Sequence, residues 1–166
     1  MATRQSLILM LCVAFGLGCA GVVARTPTPQ VSKMVTGGDD LYRASQKLVI
    51  EGLDADIAGA SDRARSRYER ALQIDASNPW AYLALARHYV DAGQAGLALS
   101  HLDRAQTLLE SVERNTPGAR VHCDGLRGAA LRLRGRHAQS RELLDEAARA
   151  APDVWGDGRL SASELR

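Results

Sequence analysis

The sequence contains few aromatic residues and almost no lysine. Aromatic residues make up 4% of the 166 residues, and Lys33 and Lys47 are the only lysines. A β-sandwich or barrel is normally richer in aromatic and β-branched residues, and no stretch alternates apolar and polar residues with period two. The apolar fraction of 46% consists mainly of alanine and leucine. This composition favours an all-α fold of packed helices.

The chain also lacks a strong charge and a set of paired cysteines. It has 21 basic and 19 acidic residues, a formal net charge of +2, which argues against a nucleic-acid partner held by bulk electrostatics. Three cysteines are too few for a disulfide framework. No phosphate-binding loop, zinc-protease helix or nucleophile elbow occurs. We therefore expect no catalytic residue, no metal, no cofactor and no small-molecule substrate.

The first 25 residues have the layout of a secretion signal. Arg4 is the only charged residue before an uncharged run over residues 7–24, which ends in small residues. Residues 15–20 read Phe-Gly-Leu-Gly-Cys-Ala, which resembles the lipobox of bacterial lipoproteins. The resemblance implies removal of residues 1–18 and attachment of lipid to Cys19. Ala20 resembles the sorting signal for the outer membrane, so the expected location is its periplasmic face.

Two other fates of this region stay open. The run of 18 uncharged residues reaches the lower limit for a membrane-spanning helix, so an uncleaved inner-membrane anchor is one alternative. Cleavage after residues 22–24 would instead release a periplasmic protein. Residues 19–44 contain two Thr-Pro pairs and a Gly-Gly pair, and this composition predicts a linker between the lipid and a folded domain.

Small residues recur with spacings of 7, 5 and 7 in three stretches of the chain. The three sets are Gly52, Gly59, Ala64 and Ala71; Ala86, Gly93, Ala98 and Ala105; and Gly128, Gly135, Ser140 and Ala147. The second set follows the first after 34 residues, and the third follows the second after 42. This pattern resembles the tetratricopeptide repeat, a 34-residue helix–turn–helix unit. The resemblance implies a right-handed α–α superhelix with repeats at 45–78, 79–112 and 121–154.

The physical basis of the pattern is close packing within each helix pair. Two antiparallel helices approach closely only where their side chains are small. Gly59, Gly93 and Gly135 are expected to end the first helix of each pair in the left-handed conformation. Residues 113–120 form the insertion before the third repeat, which we expect to be a longer helix end followed by a loop. A contact site for a partner is the alternative reading of the insertion.

The resemblance also implies a concave groove lined by the first helix of each repeat. Trp80 and Arg87 would lie on one face of such a helix, and these residue types are common in binding hot spots. Packing of Trp80 between repeats is the alternative. The repeat register gives these candidates for the groove: Gln46, Val49, Leu53, Asp56, Trp80, Leu83, Arg87, Val90, Asp91, His122 and Arg132.

Residues with metal-binding or nucleophilic side chains do not form a convincing site. His88 and His101 are expected to be surface or packing residues. His122, Cys123 and Asp124 are adjacent, and adjacent positions of a helix point about 100° apart, so they cannot close on one metal. After removal of the signal and acylation of Cys19, Cys123 is the free thiol. It is either a buried small apolar residue or the source of an intermolecular disulfide.

Residues 153–164 match part of a calcium-binding EF-hand loop. Asp153, Asp157, Gly158 and Glu164 occupy the first, fifth, sixth and twelfth positions, but Trp155 stands where an oxygen ligand is normal. The competing interpretation is a turn at 156–158, followed by a capping box between Ser161 and Glu164. In that case residues 155–166 form a cap or tail, and Trp155 covers the end of the last helix pair.

Together these features predict a non-enzymatic scaffold for protein–protein interactions. Bacterial lipoproteins of this kind resemble pilotins of pilus or secretion systems and regulators of cell-wall synthesis, which implies that the partner is another envelope protein or a peptide segment of one. Membrane attachment would come from lipid on Cys19. One alternative is a structural subunit of a homo- or hetero-oligomer that associates through its repeat ends, and a calcium-binding tail is another.

Overall fold

A computed structural model describes residues 30–31, 40–111 and 117–166. Throughout these ranges the secondary structure is helical, without a strand, and the all-α prediction is confirmed. The helices are α1 (Asp40–Ile57), α2 (Ser61–Ile74), α3 (Pro79–Asp91), α4 (Ala95–Ser111), α5 (Pro117–Leu133), α6 (His137–Ala150), α7 (Pro152–Trp155) and α8 (Ala162–Leu165).

The first six helices form three consecutive pairs, α1–α2, α3–α4 and α5–α6, and each pair also packs on the next. Gly59, Gly93 and Gly135 follow the first helix of each pair and have φ values of +73°, +72° and +73°. In the left-handed conformation the chain reverses while the last carbonyl groups of the helix still find donors. The predicted helix ends at these three glycines are confirmed.

Small residues lie where the two helices of a pair touch. Gly52 of α1 faces the ring of Tyr68 on α2, and a β-carbon at Gly52 would overlap that ring. In the third pair, a β-carbon on Gly128 would come within 2.9 Å of Cγ of Leu144. The corresponding residue of the second pair, Ala86, is completely buried. The 7-5-7 spacing therefore marks the contact between paired helices.

A buried polar link joins the first pair to the second. Asn78 accepts a hydrogen bond from the backbone N–H of Trp80 at 3.0 Å, which caps the N-terminus of α3. Its side-chain amide donates to Oγ of Ser45 on α1 at 2.8 Å, and this hydroxyl donates to the carbonyl of Ala71 on α2 at 2.9 Å. Because the polar atoms in this chain of contacts are paired, hydrogen bonds offset the desolvation cost of a link between three helices.

The boundaries of two helices differ from the sequence-based expectation. Helix α1 begins at Asp40, so the last five residues of the predicted linker are helical. Helix α5 begins at Pro117, inside the expected insertion, because a proline fits the first position of a helix without losing a hydrogen bond. The predicted signal and Cys19 lie outside the described residues. In the part of the chain that is described, no helix has the length and apolar character needed to cross a membrane.

Candidate functional site

The first helices α1, α3 and α5 share one side of the stack, here called the inner face. Repeat geometry places this side on the concave surface. Residues 152–166, here called the covering segment, follow α6 and return across this face: α7 packs on α6, and α8 packs on α1 and α3. The inner face is therefore covered by the chain itself.

Most of the predicted groove residues are buried beneath this arrangement or between the helices. The buried ones include Trp80 and Arg87, so neither side chain is presented to solvent. A role of these residues in partner binding stays a prediction. Gln46, Val49, Leu53, Trp80, Leu83, Arg87 and His122 are buried, Asp56 and Val90 are half-buried, and Asp91 and Arg132 are exposed.

Trp155 fills a site on α5. Its side chain is fully buried, and its ring lies directly over Gly125, where a β-carbon would come within 2.5 Å of Cζ2. The indole Nε1 donates to Nδ1 of His122 at 3.4 Å. A glycine that admits the ring and an imidazole that accepts its N–H together recognise an indole by shape and by hydrogen bonding. The expected position of Trp155, at the end of the last pair, is thus corrected to the inner face.

The rest of the covering segment makes apolar contacts and a few exposed polar ones. Leu160 and Leu165 are 4% and 0% exposed. Arg166 donates two hydrogen bonds to the carboxylate of Asp54 on α1, and Arg132 donates to the carbonyl of Gly158 at 3.3 Å. Both polar contacts are at the surface, where such bonds contribute little stability.

A buried ionic network lies at the end of α1, next to the covering segment. Arg87 forms ion pairs with Asp56 and, at 2.6 Å, with Asp91. Asp56 also accepts a hydrogen bond from the Tyr68 hydroxyl at 2.8 Å, and its Oδ1 lies 3.1 Å from Nδ1 of His88. The side chains of Arg87 and Asp56 are 4% and 10% exposed, so the two charges depend on each other for solvation.

The network changes the protonation equilibria of its members. Burial alone would raise the pKa of Asp56, but the hydrogen bond with His88, the charge of Arg87 and the Tyr68 hydroxyl together lower it below its ordinary value. Burial and the neighbouring charge of Asp56 raise the pKa of Tyr68. Asp56 is therefore held as a carboxylate and Tyr68 as a neutral hydrogen-bond donor. The arrangement stabilises charge and offers no poised acid or base.

Two cavities separate the covering segment from the inner face. The larger, about 500 Å³, has Asp56, Ile57 and Arg87 on one side and residues 159–164 on the other. The smaller, about 210 Å³, lies between Leu160 and the α5 residues Leu126 and Ala129. The segment therefore occupies the inner face without filling it. A third opening of about 710 Å³ lies on the opposite side, between α4, α5 and α6.

The remaining histidine and cysteine candidates are packing residues. His101 stacks on Tyr89 with ring centres 5.3 Å apart and an interplanar angle of 10°, and burial lowers the pKa of His101. Cys123 is buried, and burial raises the pKa of its thiol to about 12. His122 contacts Trp155, whereas Asp124 lies near Arg120 on the other side of α5. The three adjacent residues therefore point to different surroundings.

The calcium-motif residues are engaged in local hydrogen bonds. The Glu164 carboxylate accepts a hydrogen bond from the backbone N–H of Ser161 at 2.7 Å, and Oγ of Ser161 accepts one from the backbone N–H of Glu164 at 3.3 Å, which completes the predicted capping box. Asp157 accepts from the N–H of Arg159 at 2.9 Å. Within the described ranges, no three His, Cys, Asp or Glu side chains are grouped as a metal site.

Sequence reasoning missed several residues of this site. Gly125, Leu160 and Leu165 were not candidates, although Gly125 is a glycine inside a helix and outside the 7-5-7 pattern, which signals a close approach. No sequence pattern indicated the contact between Asp54 and Arg166, because the two residues are 112 positions apart.

Residues 57–130 match a family model described as tetratricopeptide repeat. No curated protein and no solved structure matches the chain. The family match over residues 57–130 and the three helix pairs agree with an all-α fold of tetratricopeptide-like helical repeats.

Proposed function

We propose that this protein is a non-enzymatic scaffold that binds a segment of another protein. The observation that carries the proposal is the tetratricopeptide match over residues 57–130, because such repeats generally bind protein partners. The inner face supports it, since cavities beside the covering segment leave room for contacts with a partner. The same family match supports the non-enzymatic part, because tetratricopeptide repeats are typically interaction repeats.

We further propose that the scaffold is a lipoprotein of the bacterial envelope, attached to the periplasmic face of the outer membrane and assisting assembly of an envelope complex. The uncharged run before Cys19 and the Gly18-Cys19-Ala20 sequence support this placement. Replacement of Cys19 by Ser should move the protein from the membrane fraction to the soluble fraction, and the wild type should carry lipid on a chain that begins at Cys19. A wild-type protein with an intact Met1 would contradict it.

The partner can be captured by photo-crosslinking in intact cells. A photoreactive amino acid at Ile57 or Leu133 would sit beside the two inner-face cavities, because these side chains border them and are 52% and 49% exposed. Leu97 on α4 is the matched control, since it is 48% exposed on the second helix of its pair. We expect one envelope protein to crosslink at positions 57 and 133 and not at 97. Equal crosslinking at all three positions would contradict binding at the inner face.

A structural subunit that associates through its repeat ends is the second candidate. Leu41 favours it, because this apolar side chain is 62% exposed on the first helix of the stack. The two candidate functions differ in the position that crosslinks. A structural subunit would crosslink through a photoreactive amino acid at position 41, and positions 57 and 133 on the inner face would form no crosslink.

A further inference from the structure

We propose that the covering segment is a displaceable internal ligand of the inner face, and that the partner is a peptide with the same chemistry. Such a peptide presents an indole followed by aliphatic side chains five and ten residues later, as Trp155, Leu160 and Leu165 do. This inference rests on the partner-binding function proposed above and specifies both the ligand and its regulation.

The indole site is the most specific part of the surface. Gly125 leaves space for a flat ring that any other residue would obstruct, and His122 meets the indole N–H. Neither feature is needed for the packing of α5 against α6, where Gly128 makes the close contact with Leu144. The α5 surface at Gly125 is therefore shaped for an indole and not for the helix pair itself.

The aliphatic sites continue the same surface towards α1. Leu160 borders the cavity formed by Val90, Leu126 and Ala129, and Leu165 is buried on α8, which packs on α1 and α3. A peptide with the same three side chains would contact all three first helices. Burial of the two leucines and the indole is the main attraction, because hydrophobic burial scales with the apolar area removed from water.

The covering segment is held in a way that permits release. Its hydrogen bonds to the first helices include those of Trp155 with His122, Arg166 with Asp54 and Arg132 with Gly158, and the last two are exposed. Open clefts of about 500 and 210 Å³ lie beside it, so part of the neighbouring surface is not covered by the segment. Its two helices, α7 and α8, have four residues each and depend on contact with the stack. A better-fitting peptide can therefore replace it.

The test is a calorimetric titration of the full chain with a synthetic peptide of residues 152–166. Leu160→Asn with Leu165→Asn releases the segment, because two amides would be buried without compensation. Arg159→Asn with Ser163→Asn is the matched control, since both side chains are exposed on the same segment. A tethered segment competes at an effective concentration in the millimolar range, so the released variant should bind the peptide at least about tenfold more tightly than the control.

A peptide with Trp155→Ala should not bind the released variant. Equal affinity of released and control variants would overturn the proposal, as would a folded released variant that binds no peptide. If the peptide fails but crosslinks at Ile57 still capture a partner, the internal-ligand inference is wrong and the proposed function stands. Failure of both experiments would contradict both the internal-ligand inference and the proposed function.

Hydrogen exchange of the wild-type chain tests the same idea without any substitution. The amide of Trp155 is bonded to the carbonyl of Ala151, immediately before the segment, and the amide of Leu165 is bonded to the carbonyl of Ser161 within it. If the segment is displaceable, they exchange through an opening that leaves α3 and α5 protected. Exchange of these two amides only at the rate of the α3 and α5 core would overturn the proposal, because the segment would then be inseparable from the fold.

Discussion

At the scale of single residues, Gly125 decides where the covering segment can lie. An α-helix tolerates glycine poorly in its interior, at a cost of about 1 kcal/mol relative to alanine. Here the missing side chain is replaced by the ring of Trp155, which is fully buried. The loss in helix propensity is offset by burial of a large aromatic surface.

Gly125→Ala should therefore destabilise the protein although alanine favours helices. The new methyl group would lie 2.5–2.6 Å from three atoms of the Trp155 ring, and such overpacking costs about 1–3 kcal/mol. Urea denaturation followed by circular dichroism measures the free energy of unfolding. Gly96→Ala is the control, because no atom lies within 4 Å of its β-carbon position, and it should be neutral or slightly stabilising. A Gly125→Ala protein as stable as the wild type would contradict the described contact.

Asp56→Asn should lower the free energy of unfolding by about 2–3 kcal/mol at neutral pH, because the buried Arg87 loses a charged partner. Asp54→Asn on the same helix is the control. Its ion pair with Arg166 joins side chains that are 49% and 42% exposed, and solvent screens such exposed pairs, so the loss should be much smaller. Chemical denaturation of both variants measures the difference.

The loss of stability caused by Asp56→Asn should depend on pH. The pKa of Asp56 lies below its ordinary value of 3.8, so its stabilisation is complete above that value and is lost as the pH falls through the lower, folded pKa. The stability gap between wild type and Asp56→Asn should therefore shrink as the pH falls below about 4. Asp124, whose pKa is raised by burial, is present in both proteins, so its titration cancels in the difference between their stabilities. A gap that widens in acid would contradict this assignment.

At the scale of elements, the sequence predicted the helix pairs because their contacts are local. Gly52 and Tyr68 lie on consecutive helices joined by a short turn, so the spacing of small residues reveals their packing. The path of the covering segment could not be read in the same way. Asp54 and Arg166 are 112 positions apart in the sequence, and no periodicity records such a contact. The capping box of Ser161 and Glu164 was predictable, since it is confined to four residues.

The buried positions of Trp80 and Arg87 change the experiment that the sequence suggests. If both side chains lined an open groove, their truncation to alanine would weaken partner binding and leave helicity intact. Because both side chains are buried, this double variant should lose stability as well, by about 3–5 kcal/mol for the tryptophan alone. Substitutions in the covering segment are therefore the cleaner test of binding.

Termination of the chain after Pro152 should lower the melting temperature by at least about 5 °C and leave most helical signal intact. The six helices of the three pairs remain, but the apolar surface under Trp155, Leu160 and Leu165 becomes exposed. Thermal unfolding followed by circular dichroism measures the change, and the Arg159→Asn, Ser163→Asn protein is the control. An unchanged melting temperature would show that the segment does not stabilise the stack.

At the scale of the whole molecule, large exposed apolar side chains are scattered. In the described part of the chain they are Leu41, Ile57, Leu97 and Leu133, on three different helices. Single exposed apolar residues are normal on monomeric proteins, whereas a stable dimer needs a contiguous patch. The covering segment reduces the exposed apolar surface, because it buries apolar residues of three helices at once.

A protein that begins at Ala20 should accordingly be a monomer at micromolar concentrations. Static light scattering after size exclusion gives the molar mass. A dimer that reverts to monomer on Leu41→Ser would contradict this expectation and favour the subunit role. A dimer that is insensitive to Leu41→Ser would contradict the expectation and place the association elsewhere.

The burial of Trp155 also gives the molecule an optical reporter. The sequence has two tryptophans, and both are completely shielded: Trp80 in the second helix pair and Trp155 in the covering segment. Release of the segment would transfer one indole to water and leave the other in place. The emission of the released indole would then shift to longer wavelength, and acrylamide would quench it selectively. The occupancy of the inner face could thus be followed in real time without attaching a dye.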